Sequence, residues 1–296
     1  MTAPTEAEVA VVRPRMARSK LVFRYGVTAV IIIGAVWSFT SLDISVERLR
    51  TAPGDIWKIL RLTVPPDMEG DFVSRVFGKV LESVYIAWVG TMIAALISLP
   101  LAFMGAENTA PRWMQLPIRQ LFNVIRSFPE LILAVLLLPI TGLGAWTGTL
   151  AIGLHSVGTL GKLSTEAIES IDFGPAEAAQ AAGGNRLEAI RWGVLPQVLP
   201  TIVAYWLFRF EINVRASAVM GVIGAGGVGS ELINQLNFRQ FDKAGTVLLF
   251  TILVVLFIDT SSAAVRRRII LGGGTSESAN TEVFRDLSGL TGPGLT

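Results

Sequence analysis

The run at residues 80–104 carries a single ionisable residue, Glu82, over a length that exceeds the roughly 20 apolar residues a helix needs to cross a bilayer. Hydrocarbon offers no hydrogen-bond partners, so such a segment must satisfy its backbone internally and folds as a helix. Further apolar runs lie at residues 21–39, interrupted only by Arg24, and at 121–140, 146–163, 198–220 and 246–265. The sequence therefore predicts an all-α membrane protein with about six transmembrane helices. A charged fraction of 16% against a hydrophobic fraction of 51% agrees, since soluble domains carry about a quarter of their residues as charges. Six spans and their loops fill 296 residues and leave no room for a separate catalytic domain, so any energy source is expected in another chain.

Several chemistries are excluded or weakened at once. With no cysteine there is no disulfide, thiolate metal site or thiol nucleophile. The only histidine, His155, lies inside the fourth run without a second ligand residue, and is expected to be a hydrogen-bonded packing residue; no metal site is expected. A net charge of +2, with its basic residues beside the apolar runs, does not suggest nucleic-acid binding. The stretch Ser156-Val-Gly-Thr-Leu-Gly161-Lys162 lacks the first glycine of a phosphate-binding P-loop and the hydroxyl after its lysine, and Lys162 with Glu166 is expected to form an i,i+4 pair.

The predicted organisation is a cytoplasmic segment at 1–20, a first span at 21–41, an extracytoplasmic loop at 42–79 that is rich in charges, carries Pro65-Pro66 and has room for a short helix, a five-span core at 80–268, and a flexible cytoplasmic tail at 269–296. The polar lead is long and no Ala-x-Ala-like site follows the first run, so that run is expected to remain as a span rather than be cleaved as a signal peptide. Basic residues concentrate in cytoplasmic loops. The N-terminal cluster, Arg112 and Arg119, Arg186 and Arg191, and Arg266-Arg267-Arg268 all fall on one side, which predicts a multi-pass protein of the plasma or inner membrane with both termini in the cytoplasm.

Residues 173–196 read Phe-Gly-Pro-Ala-Glu-Ala-Ala-Gln-Ala-Ala-Gly-Gly-Asn-Arg-Leu-Glu-Ala-Ile-Arg-Trp-Gly-Val-Leu-Pro. Pro175 suits a first helical turn, the alanines favour helix, and Gly183-Gly184 can supply a left-handed terminus. Asn185 and Glu188 have the spacing of a capping box for a second helix, which Pro196 is expected to stop. The result is a helix-turn-helix elbow. With Glu177-Ala178-Ala179, Gly183 and Leu195-Pro196 at fixed spacing, it resembles the EAA loop of ABC importer permeases, although Gly193 stands where that family usually has Ile. In the family this loop is the coupling helix that docks on an ATPase subunit, so the resemblance implies an ATPase-coupling role for those six residues.

From about residue 80 to 268 the chain looks closest to phosphonate importer permeases, on the stretches Arg126-Ser-Phe-Pro-Glu130 and Arg209-Phe-Glu-Ile-Asn-Val-Arg215 and the glycine-rich segment that follows. Ionisable residues in spans are costly, so Arg126, Glu130, Arg209, Glu211 and Arg215 should face the bundle interior, a water-filled path or an interface. Arg126 with Glu130 and Glu211 with Arg215 have i,i+4 spacing and could pair internally, which is the favoured reading; the arginines could also meet phosphonate oxygens along a path. Gly224, Gly226, Gly227 and Gly229 match a dinucleotide fingerprint, but after a membrane helix they read better as a positive-φ turn, a gate or a binding-protein contact outside the membrane.

The resemblance implies a type I importer: a permease, itself no enzyme and without cofactor, working as a pair that is expected to be a homodimer in the lipid. ATP-binding cassette subunits would hold ATP and Mg, and an extracytoplasmic phosphonate-binding protein would deliver cargo. Permeases for phosphate, methionine or another small solute, and secondary transporters, are the alternatives. A secondary transporter would show broken helices in paired halves.

Overall fold

The computed structural model describes residues 18–41 and 46–272, and every regular element among them is helical. The expectations for residues 1–17 and for the tail beyond residue 272 lie outside the described residues. The chain divides into two compact units at Arg61 and Leu62.

The first unit holds α1 (Arg18–Ser41) and nearly all of α2 (Val46–Thr63). Phe23–Ser41 of α1 is long and apolar enough to cross a membrane, matching the predicted first span. The second helix is the short helix for which the predicted loop at 42–79 left room. Ile56, Trp57 and Leu60 recur at helical spacing among Asp55, Lys58 and Arg61, so the charges belong to an amphipathic helix.

The second unit is built on α3 (Gly70–Gly105), α6 (Ala145–Glu169) and α9 (Leu195–Met220). At 36 residues, α3 is about 54 Å long, well beyond the roughly 30 Å of a hydrocarbon core. It begins ten residues before the predicted span. Its buried positions Val76, Val80, Ser83, Ala87, Thr91, Ala94, Ser98 and Ala102 recur every three or four residues and present one small-residue face. Gly90 meets α6 at Gly153: a Cβ on Gly90 would lie 3.0 Å from the Thr149 carbonyl and 3.3 Å from the Gly153 nitrogen. Close helix approach at that level requires glycine.

Among the described residues, three helices, α1, α3 and α11 (Phe241–Gly272), are each long and apolar enough to cross a membrane, and two bent pairs are so jointly. The remaining helix of the predicted set, α6, buries 15 of its 25 residues, so it packs against protein and can carry Gly, Ser, Thr and His where a lipid-facing helix could not.

One predicted span is not a single helix. Residues 121–140 belong to α4 (Arg112–Ser127) and α5 (Glu130–Thr141), bent by 90° at Phe128-Pro129. Pro129 has no N–H to give and pushes the preceding residue out of the helical region, and Phe128 is extended at φ −84°, ψ 123°. The second bend, of 43°, falls between α9, continued by a 3-10 turn at Gly221–Ile223, and α10 (Gly227–Asn237).

Candidate functional site

At one end of α6 and α9, α7 (Gly174–Ala181) and α8 (Arg186–Ala189) form the predicted elbow. Gly183 adopts φ +91°; its amide bonds Gln180 O and the Gly184 amide bonds Ala179 O, so the left-handed terminus closes α7 as expected. The Asn185 side chain accepts the Glu188 amide at 2.9 Å, and the Glu188 carboxylate accepts the Asn185 amide at 2.7 Å. Pro196 does not stop the second helix. A π-helical segment, Ile190–Val194, carries the chain into α9, and Pro196 sits in the first turn of α9, where a missing N–H costs nothing.

Gly193 has a structural reason here. A Cβ at that position would lie 2.5 Å from the Ala176 Cα, so α7 and the π segment touch backbone to backbone. Of the six predicted coupling residues, Glu177, Ala178, Gly183 and Pro196 are exposed, and Ala179 and Leu195 half-buried. Leu187 and Trp192 add exposed apolar surface to the same elbow, at 77% and 69%.

The glycine-rich turn sits at the opposite end of α9. Gly224, Gly226 and Gly227 have φ of +83°, +76° and +71°, as a positive-φ turn requires. Its backbone is committed to protein: the Gly144 amide bonds Gly224 O, and the Val228 amide bonds the Ser83 hydroxyl. A Cβ on Gly229 would lie 1.8 Å from Ala218 O. Gly229 serves close packing of α10 on α9, Gly226 and Gly227 lie against Glu82 and Ser83 of α3, and the turn leaves no open cradle for a nucleotide.

Between the two ends lies a buried polar layer. Asn213 Nδ2 donates to Thr91 Oγ1 at 2.8 Å and to Ser156 Oγ at 3.0 Å, joining α9, α3 and α6. Arg209 Nε donates to Ser156 Oγ at 2.9 Å. Arg209 is 14 residues past Leu195, about 21 Å along the axis of α9, which puts a cation near the middle of the helix. It is 7% exposed, and its Nη2 makes no hydrogen bond, although Glu130 Oε2 lies 3.5 Å away.

The same carboxylate is 4.0 Å from His155 Nε2, and His155 Nδ1, the ring atom that must carry the proton there, donates to the Phe128 carbonyl at 3.0 Å. His155 is thus a hydrogen-bonded residue, as expected. Its partner is the broken turn between α4 and α5.

The predicted i,i+4 pairings among the path candidates do not form. The break at Phe128-Pro129 separates Arg126 from Glu130, and Arg126 is exposed without an ion pair among the described residues. Glu211 pairs with Arg266 at 3.1 Å and Arg215 with Asp259 at 3.2 Å, so both residues of α9 turn to α11. Lys162 and Glu166 do pair, at 3.7 Å. Sequence reasoning missed Thr91, Asn213, Asp259 and Arg266. Their partners lie 44 to 122 residues away, and no local spacing signals them. The glycines beside Ser156 are contact points: a Cβ on Gly158 would lie 2.9 Å from Phe122 O, and one on Gly161 2.2 Å from the Phe122 ring.

Two broken helix pairs, taken alone, fit the secondary-transporter alternative. The comparisons decide against it. Residues 79–271 match the family described as binding-protein-dependent transport system inner membrane component. The chain is 41% identical over 197 residues to a phosphite transport system permease of Stutzerimonas stutzeri, covering 66% of this chain and 71% of that protein. It is 35% identical over 237 residues to a phosphate-import permease of Mycolicibacterium smegmatis, covering 80% of this chain and 44% of that one. Its fold is similar to an inward-facing methionine ABC transporter, with TM-score 0.60 and 20% identity over 68% of this chain and 99% of the other.

Proposed function

Since the chain belongs to the family of binding-protein-dependent transport inner membrane components, we propose that it carries small phosphorus oxyanions of the phosphonate and phosphite class, as one of two identical permease subunits. It is a transport subunit of an ATP-driven importer and has no ATPase site of its own. The observation that carries the cargo reading is Arg209. A guanidinium buried halfway along a membrane helix with an unbonded nitrogen suits a passing oxyanion, because its planar fork matches tetrahedral oxygens. Relatives named for phosphite and phosphate support the same class.

In this reading, Arg209 and Glu130 border the path, whereas Glu211 and Arg215 tie α9 to α11. Arg126 stands at the α4 end of the break. The elbow, through Glu177, Ala178, Ala179, Gly183, Leu195 and Pro196, receives an ATP-binding cassette subunit that holds ATP and Mg. The turn at Gly224, Gly226, Gly227 and Gly229 lies at the far end, on the side where an extracytoplasmic phosphonate-binding protein docks. Both termini are then cytoplasmic. Each ATP-driven step must favour one of two arrangements by differential binding, since a contact equal in both shifts nothing.

The test is ATPase activity of the complex in lipid with its cognate ATPase and binding protein, comparing methylphosphonate, phosphite, phosphate, methionine and no ligand. Selective stimulation by methylphosphonate or phosphite is expected. Stimulation by methionine alone would leave the permease standing and remove the cargo assignment.

A further inference from the structure

Arg209, Glu211 and Arg215 share α9, yet their ion pairs differ in kind. Arg266 Nη2 approaches Glu211 at 3.1 Å with a hydrogen bond, and Arg215 Nη2 holds both oxygens of Asp259 at 3.2 Å. Of these three, the Arg209–Glu130 contact is the charge pair without a hydrogen bond, at 3.5 Å, leaving Nη2 of a 7% exposed arginine unbonded. The anion of this pair is the more accessible member, its side chain 29% exposed against 8% for Arg209.

Glu130 is also the first residue of α5, directly after the break. The N-terminus of α5 has no side-chain cap, and the Phe128 carbonyl inside the break is held by His155, which itself stands 4.0 Å from Glu130. One small cluster therefore contains the mid-helix cation, a loosely held carboxylate and the joint between α4 and α5.

We propose that Glu130 is an internal competitor for the cargo: it occupies the anion position at Arg209 until an oxyanion displaces it, and its release frees the α4–α5 joint to move. This rests on the oxyanion reading of the path and adds to it the residue that sets selectivity. A carboxylate already at Arg209 imposes a threshold, because an incoming anion must bind the guanidinium better than Glu130 does. A phosphonate and sulfate both offer tetrahedral oxygens to the fork, but those of sulfate are less basic than a carboxylate and accept hydrogen bonds more weakly, so sulfate fails to displace the resident. A ligand can drive the joint only through this difference in affinity between the two arrangements.

The experiment uses the full complex in lipid and reads ATPase turnover with methylphosphonate, sulfate or no ligand for the parent and for Glu130→Gln. The substitution removes the competing charge and keeps the shape. Turnover without ligand should rise about tenfold, on the scale of ordinary coupling free energies, and the preference for methylphosphonate over sulfate should shrink by a similar factor. A variant that assembles but keeps the parent's ligand dependence, or simply loses turnover, overturns the proposal.

If Glu130→Gln does not assemble, the parent sequence decides, because it contains no cysteine to confuse labelling. Spin labels at Val124→Cys on α4 and Leu136→Cys on α5, both exposed positions, should show a changed distance distribution when methylphosphonate-loaded binding protein and ATP are added. An unchanged distribution in a complex that methylphosphonate stimulates contradicts the proposal while leaving the cargo assignment intact. A parent that methylphosphonate fails to stimulate contradicts both.

Discussion

The elbow of α7 and α8 and the polar layer across α3, α6 and α9 are built by opposite means. In the elbow, each turn is closed by partners three to five residues away: Gly183 with Gln180, Gly184 with Ala179, Asn185 with Glu188. In the layer, Asn213 bonds Thr91 across 122 residues, and Arg209 meets Ser156 across 53. A locally closed element keeps its own shape when the bundle shifts, and the elbow is tied to the bundle separately, by Arg186 Nη2 donating to Thr109 O at 2.7 Å. A layer closed across three helices responds only when those helices shift, which is what a path through the bundle requires.

This contrast predicts different responses to similar damage. The largest effect is expected for Arg266→Gln, which strands the Glu211 carboxylate, 5% exposed, in the bundle. Removing one partner of a buried pair costs about 3–5 kcal/mol, and thermal unfolding of the purified chain should show the loss, with Glu211→Gln on the same background restoring part of it. Next come two of the crowded glycines, Gly161 and Gly193, each expected to lose about 1–3 kcal/mol as alanine. They should differ in rescue. Gly161→Ala collides with the Phe122 ring and should cost less on a Phe122→Leu background than in the parent; Gly193→Ala collides with the Ala176 backbone and should cost as much on an Ala176→Gly background as in the parent. Rescue at both sites would show that the elbow is held as loosely as a side-chain contact.

The smallest effect is expected for Asn185→Ala, which removes one cap and should cost about 1 kcal/mol. Because the cap is local, ATPase binding should weaken while the thermal unfolding of the bundle hardly changes. A bundle that melts with the cap would break the separation between the two regions.

The same difference explains what could be read from the sequence. The elbow was legible down to its capping box, since Asn185, Glu188 and Gly183 act on neighbours. The apolar runs mark the long helices, though not the bounds of the helix in residues 46–63, whose charges lie on one side of an amphipathic pattern, nor α10, which falls between two runs. The joint at Phe128 had a signal, Pro129 inside an apolar run, that hydropathy averaged away. The i,i+4 expectation for Glu211 and Arg215 failed because α11 brings Arg266 and Asp259 to that face, and sequence spacing holds no information about a helix 44 to 55 residues later. Gly193, a departure from the family pattern, became intelligible only when Ala176 was found against it.

The most direct measurement compares Glu177→Ala in the elbow with Arg209→Gln in the layer, recording ATPase-subunit affinity and methylphosphonate preference for each assembled complex. The account predicts a crossed result: Glu177→Ala weakens ATPase binding and keeps the cargo preference, whereas Arg209→Gln keeps ATPase binding and loses the preference. If Arg209→Gln retains the parent's preference, or if both substitutions degrade both properties alike, the division between coupling elbow and anion-reading layer is contradicted.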